Sequence, residues 1–184
     1  DQGRDLRRAR ARLSKGSSRS PASVCIIACN EERNLPRCLA SVSWAEEVVV
    51  VVDSRSSDAT ESLALAAGAR VLVHPYEGNV EQKNVALGHA KHDWVLALDA
   101  DEALSDELAA EIRDVLGADG DGADGFLVNR LTFHLGRWIR HGDFHPDWQL
   151  RLFRRSRGRW EGVNPHGRVV VGGRVERLAG PLPH

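Results

Sequence analysis

An α/β fold with a mostly parallel sheet flanked by helices is predicted by three features of the sequence. Short, unalternating apolar runs recur at residues 24–28, 48–52, 71–73 and 94–98, and such runs suit strands buried on both faces. Each run gives way to a polar loop and then to a helical pattern, the rhythm of βα units. The length of 184 residues fits one domain whose core is large enough to keep water out of a site.

The helices between these strands carry legible punctuation. Asn34 stands before Pro36 as a cap, and Asp58 with Glu61 has capping-box spacing ahead of Leu63, Leu65 and Ala66, with Gly68 ending that helix. A third helix is expected over residues 80–90, and Ser105 with Asp106 and Glu107 opens a fourth that reaches Leu116. Residues 117–125, rich in Gly, Asp and Ala, read as an exposed loop. Residues 126–130, 149–154 and 168–171 read as strands, with Gly172 and Gly173 turning a hairpin into residues 174–178. The expected organisation is one domain over 23–184. Its 23–116 half holds the βα units, and its 125–184 half is a smaller mixed subdomain laid against the parallel sheet.

The formal net charge of −1 hides an asymmetry: Arg4, Arg7, Arg8, Arg10, Arg12, Lys15 and Arg19 face only Asp1 and Asp5 in the first twenty residues. With few apolar side chains besides Leu6 and Leu13, residues 1–22 are expected to be a disordered basic arm. Clustered basic residues would also draw such an arm to an anionic membrane surface. Cys25, Cys29 and Cys38 form no C-x-x-C pair and read as small core residues of a reducing compartment. No apolar run approaches the roughly 20 residues of a spanning helix, and no signal peptide opens the chain. A cytoplasmic protein is expected, with at most peripheral contact with the inner membrane and no nucleic-acid partner. The sequence contains no Met and stops abruptly at Pro181 to His184, as a piece of a longer product would.

In open α/β sheets, ligands bind beyond the carboxyl ends of the strands. Here those ends are polar: Asn30, Glu31 and Glu32 follow the first run, Asp53 and Ser54 the second, and Asp99, Asp101 and Glu102 the fourth. Carboxylates are costly to desolvate unpartnered, so their convergence suggests a cation or a set of ligand hydroxyls. The Asp99-x-Asp101 pair offers hard oxygen ligands for Mg2+ or Mn2+, an ion suited to neutralising a leaving diphosphate. Two acids before a helix can equally be capping residues. The phosphate-cradling G-x-x-x-x-G-K-[ST] loop, a G-x-G-x-x-G after the first strand, H-E-x-x-H and G-x-S-x-G are all missing from the sequence.

Six stretches, taken jointly and in order, carry a resemblance: SVCIIACNEE at 23–32, VDSRSSDAT at 52–60, QKN at 82–84, LDADE at 98–102, GRWIRHG at 136–142 and PDWQLRLF at 146–153. Residues 23–184 resemble family 2 glycosyltransferases, and within them the bacterial branch that includes the lipopolysaccharide core β-1,4-glucosyltransferases. The resemblance implies a GT-A type, Rossmann-like sheet. It also implies inverting, metal-dependent transfer of a hexose from a nucleotide diphosphate sugar, a UDP-sugar, to a hydroxyl of a cell-envelope glycolipid or polysaccharide precursor. It implies that Asn30, Glu31 and Asp53 line the base and ribose pocket, and that Lys83 approaches the base or diphosphate. Asp99 would meet the ribose, Asp101 would hold the metal, and Asp147 would act as the base. His166, in an N-P-H-G context where relatives have V-H-E, would be a metal or diphosphate ligand.

Each residue also has a plainer reading. Asp53 can be a turn or capping residue, Lys83 part of a solvated helix face, and Asp147 a loop acid paired with Arg151 or Arg154. His134, His141 and His145 are crowded enough to suggest zinc but fall in a Trp- and Phe-rich loop with no thiolate or accompanying carboxylate pattern, and read as surface histidines. Trp138, Phe144 and Trp148 can stack on a sugar face or build a core. Two rival functions stand beside transfer: a non-catalytic nucleotide-sugar-binding module, and a nucleotidyltransferase, which would need a Gly-rich basic loop after the first strand.

Overall fold

The computed structural model of the protein describes residues 20–131, 133–134, 137–138, 146–164 and 166–184. Its centre is a 7-stranded sheet in the order β11-β5-β8-β4-β1-β2-β3. The strands are β1 (Ser20–Ala28), β2 (Ala45–Asp53), β3 (Arg70–His74), β4 (Trp94–Asp99), β5 (Gly125–Leu131), β8 (Asp147–Arg154) and β11 (Val175–Pro183). Two small antiparallel pairs stand apart: β6 (Phe133–His134) with β7 (Arg137–Trp138), and β9 (Gly158–Glu161) with β10 (Arg168–Val171). β8 alone runs against the rest of the large sheet, pairing antiparallel with both β4 and β5. The helices are α1 (Leu35–Ser41), α2 (Thr60–Ala66), α3 (Asn79–His89) and α4 (Asp106–Gly117).

The four predicted βα units are present. Val49, Val50, Val51 and Val52 are all buried because helices cover both sheet faces. One face carries Ile26, Leu96, Leu98, Phe126 and Leu152 under Leu35 of α1 and Leu108 and Ile112 of α4. The other carries Val49, Val51, Val95 and Phe153 under Val80, Ala86 and Leu87 of α3 and Trp160 and Val169 of β9 and β10. Fully burying a side chain such as Ile26 or Leu96 contributes about 1.5–3 kcal/mol. Ser105 caps α4 through its side chain, which accepts from the Leu108 N–H at 3.1 Å, and Gly68 leaves α2 at φ +80°. Asn34 takes the cap position of α1 without a side-chain cap bond; its amide donates to Glu31 instead, at 2.9 Å.

Three expectations need correction. Residues 117–125 are not an open loop: the Asp119–Gly122 turn packs on Trp94, whose Nε1 donates to Asp119 Oδ1 at 3.0 Å, and Ala123 is buried. Gly172 and Gly173 do not close a hairpin, because β10 pairs with β9 while β11 runs parallel to β5 at the sheet edge. The apolar side chains of the two strands serve opposite faces, Val169 one core cluster and Leu178 and Leu182 the other. Strand β1 starts at Ser20 rather than Ser23, with the Ser20 N–H donating to Trp44 O at 3.0 Å and Ala22 buried. β5, β8 and β11 thus extend the main sheet. The basic arm up to Arg19 lies outside the described residues. No helix among the described residues is long and apolar enough to cross a membrane.

Candidate active site

β1, β2 and β4 end together, and the strand order reverses between β1 and β4, the position where α/β sheets form a crevice. A cavity of about 730 Å3 opens there. It brings together six of the expected residues: Glu31, Asp53, Lys83, Asp99, Asp101 and His166. Asp147 flanks it through its partners Arg130 and Gln149, and Asn30 lies in the chain between Cys29 and Glu31, both of which line the cavity.

At the β1 and β2 tips the loops are stitched to each other. Asn30 adopts a left-handed φ of +55°, which Asn tolerates better than most residues. Its Oδ1 accepts from the Ser57 N–H at 2.9 Å, and its own N–H donates to Ser56 Oγ at 3.0 Å. The Glu31 N–H donates to Thr60 Oγ1 at 2.7 Å, which anchors the loop to the start of α2. Asp53 is buried and paired with Arg55, whose Nη2 donates to Oδ2 at 2.6 Å. The hydrogen bonds from Arg55 hold the Asp53 carboxyl below its usual range. The Arg55 guanidinium in turn lies 5.1 Å from the centre of the Tyr76 ring, at the cavity wall.

Lys83, on the α3 face turned to the sheet, is not a solvated lysine. Its Nζ sits 2.7 Å from Asp99 Oδ1 and 4.3 Å from the centre of the Trp160 ring. Burial lowers its pKa, with the charge of Asp99 opposing. The neighbours of Lys83 fix its helix: Gln82 exchanges hydrogen bonds with His74, and Asn84 clamps the Trp160 backbone through both its amide nitrogen and oxygen. The other oxygen of Asp99, Oδ2, accepts from Arg151 Nη2 at 2.9 Å. Burial alone would raise the Asp99 pKa, but Arg151 and Lys83 outweigh it and hold the carboxyl well below the usual range. Glu102 is wholly buried, and burial pushes its pKa up; it accepts from Arg151 Nη2 at 2.5 Å and from the Asp99 N–H at 2.9 Å.

Asp101 lies 3.2 Å from His184 Nε2, and that contact lowers the Asp101 pKa and raises that of His184. Among the described residues no three His, Cys, Asp or Glu side chains converge as a metal cage. Magnesium and its kin are commonly held by one or two carboxylates completed by substrate phosphates and water. Half-exposed Asp101, on the cavity wall with His184 and His166, fits that pattern. Asp99 fits it less well, since a cation already holds each of its oxygens.

Asp147 opens β8 and pairs with neither of the arginines expected from the sequence. Arg130 Nε donates to its Oδ2 at 2.7 Å and Gln149 Nε2 to its Oδ1 at 2.5 Å, and both donors line the cavity. Arg154 serves Asp93 and Asp119 instead. Cys29 departs from the core reading, being exposed on the cavity wall, while Cys25 and Cys38 are buried. Trp148 lies under the Arg177 guanidinium at 4.7 Å, and Trp138 is exposed. His141, Phe144 and His145 lie outside the described residues, as does the side chain of His134.

Sequence reasoning missed Arg130, Tyr76 and His184, named Glu102 only among the acids at a strand tip, and named Arg151 only as a partner for Asp147. For Arg151 a signal existed: an arginine between Leu150 and Leu152 in a strand otherwise apolar enough to be central. His184 carried no signal, because no local pattern ties it to Asp101.

Comparison with known proteins identifies the family and the fold. A lipopolysaccharide core biosynthesis glycosyltransferase of Rhizobium meliloti, LpsC, is 34% identical over 161 residues, covering 81% of this chain and 59% of that protein. An uncharacterised glycosyltransferase of Rickettsia typhi is 45% identical over 91 residues, 50% of this chain and 31% of the relative. The chain thus spans about a third to three fifths of the length of these relatives. The crystal structure of Staphylococcus aureus TarS shares the fold, with a TM-score of 0.56 at 22% identity over 73% of this chain and 47% of that one. The family model described as glycosyl transferase family 2 matches residues 23–172, and the chain belongs to that family.

Proposed function

We propose that this chain carries the donor-binding and catalytic residues of an inverting, divalent-metal-dependent hexosyltransferase. It would use a UDP-sugar and glycosylate a hydroxyl of a cell-envelope glycolipid or polysaccharide precursor. One observation carries the reading: Lys83 and Arg151 bracket Asp99 beside Asp101 at the end of β4, inside a cavity of about 730 Å3. Two fixed cations and an open carboxylate at the sheet's switch point suit an anionic nucleotide diphosphate. The name of LpsC supports a core-saccharide acceptor, and TarS has been crystallised with UDP and with UDP-GlcNAc.

In this reading Asp53, Arg55 and Tyr76 enclose the base, Asp99 meets the ribose, and Lys83 faces the diphosphate. Asp101, beside His184, would hold the Mg2+ or Mn2+, with His166 elsewhere on the cavity wall, and the ion when bound would neutralise charge on the departing diphosphate. Asp147, oriented by Arg130 and Gln149, accepts the proton of the acceptor hydroxyl as that oxygen attacks the anomeric carbon from the face opposite the diphosphate. The domain is read as starting with β1 at Ser20, three residues before the expected 23, and running to 184, with the arm before it making peripheral membrane contact on the cytoplasmic face. Titration calorimetry with UDP tests the reading: binding should strengthen with Mg2+ or Mn2+. Equal affinity with and without the ion would remove the metal from the proposal, and no binding in either condition would remove the donor.

A further inference from the structure

β4 and β8 pair through Trp94 with Arg154, Val95 with Phe153 and Leu96 with Leu152, and the ladder stops there. Beyond Leu96 the two strands part, and the cavity lies in the gap between Asp99 on one side and Gln149 on the other. Arg151 is the first residue of β8 past the last rung. Its guanidinium crosses the gap, and the same Nη2 reaches Asp99 Oδ2 at 2.9 Å and Glu102 Oε1 at 2.5 Å.

This arrangement is poorly explained by stability. The Arg151 and Glu102 side chains are 4% and 0% exposed, and burying such an ion pair costs desolvation that apolar residues of similar volume avoid. Arg151 Nε is also buried without a hydrogen-bond partner among the described residues, a further cost. The adjacent Leu152 and Phe153 show what packing alone would select in this strand. A buried ionic network of this kind, at the edge of a cavity, is the pattern of a functional site.

We propose that Arg151, backed by Glu102, is a positioning residue that locks the Asp99 carboxylate for the donor and ties the acceptor-side strand β8 to the donor-side strand β4. The inference rests on the reading of Asp99 as a donor contact. Glu102 grips Asp99 by its backbone N–H and Arg151 grips it by Oδ2, so with Lys83 on Oδ1 the carboxylate has one fixed orientation. Without Arg151 the carboxylate can rotate toward Lys83, and the donor must then restore its orientation on binding.

The test is UDP affinity by calorimetry in the presence of Mg2+ or Mn2+. Arg151→Met with Glu102→Gln removes both buried charges and leaves neither unpaired, so the double variant should melt close to wild type. Its UDP affinity should fall on the order of tenfold, the scale of one lost hydrogen bond to a charged group, and Arg151→Lys should recover part of it. A double variant that folds and binds UDP as wild type does overturns the proposal. Asp99→Asn separates the two failures. If it too binds UDP normally, Asp99 is no donor contact and the underlying reading falls; if it weakens UDP while the double variant does not, only the positioning role falls. Should the double variant not fold, Arg151→Lys decides alone, since the lysine chain ends one bond short of the Nη2 position that bridges both acids: a several-fold loss supports the proposal and wild-type affinity overturns it.

Discussion

Lys83 Nζ is held 2.7 Å from Asp99 and 4.3 Å from the centre of the Trp160 ring, so the ammonium is fixed from two sides before any ligand arrives. A cation already immobilised loses less freedom on binding an anion. Lys83→Ala should weaken UDP binding about ten- to hundredfold, the scale of a hydrogen bond to a charged group. The melting temperature should change little, because Asp99 keeps Arg151. Unchanged UDP affinity in calorimetry would take Lys83 out of the donor site.

The cysteines offer a probe of the cavity. Burial pushes the Cys25 and Cys38 thiols up to about 12, where almost no thiolate is present at neutral pH. Cys29 is exposed on the cavity wall. A maleimide should therefore label one thiol of the native protein and all 3 in denaturant, and UDP should slow the native reaction. Labelling at the same rate with saturating UDP would mean that the nucleotide does not cover Cys29.

The strand tips were legible because parallel strands buried on both faces leave unbroken apolar runs, and the polar residue that ends each run sits at the sheet's carboxyl edge. Asp53 and Asp99 were found in this way. Arg151 and Glu102 were not assigned, since their pairing crosses 49 positions of sequence and depends on β8 inserting antiparallel beside β4. The hairpin was misread because β10 and β11 are continuous in sequence, whereas β10 pairs with β9 and β11 pairs with β5. Lys83 was read in two ways because α3 has no strong apolar stripe; its packing against β1, β2 and β9 decides which face is inward.

Gly78 precedes α3 at φ +145°, and a Cβ there would collide with Asn164 and Glu81. Asn164 Oδ1 accepts the Val80 N–H at 3.0 Å, capping the helix that carries Lys83 from a distant loop. Gly78→Ala should strain the backbone by about 1–3 kcal/mol and loosen that cap, lowering both the melting temperature and UDP affinity. A melting curve and UDP isotherm matching wild type would show that the loop yields without consequence.

Asp93 ties the β4 entry to the turn after β8, accepting from the Ser156 N–H at 2.8 Å and from Arg154 at 3.4 Å. Burial pushes its carboxyl up, but the bonds from Ser156 and Arg154 outweigh this and hold it below the usual range. A carboxyl whose folded value is depressed stabilises the fold above its unfolded value of about 3.9, and that contribution is lost as pH falls through the folded value. Asp93→Asn should therefore lower the melting temperature at pH 7, and the gap to wild type should close below about pH 4. A gap of constant size across that range would mean that the ionised form contributes nothing.

Asp147 is the proposed base, and its surroundings make Asp147→Asn a sharp test. The amide keeps the side-chain shape and can still accept the Arg130 Nε–H through its oxygen, the contact now made at 2.7 Å. It has no proton affinity to offer the acceptor hydroxyl. Turnover should fall by about two to four orders of magnitude, the usual contribution of a positioned base, while UDP and metal binding stay as in wild type. Asp101→Asn should behave differently, weakening ion and UDP together, because its proposed contact is with the ion and not the acceptor. The two variants thus separate chemistry from binding in one pair of measurements, transfer rate and UDP isotherm. Near-normal transfer by Asp147→Asn would move the base elsewhere, and Asp143, an acid four residues earlier in the sequence and outside the described residues, would be substituted next.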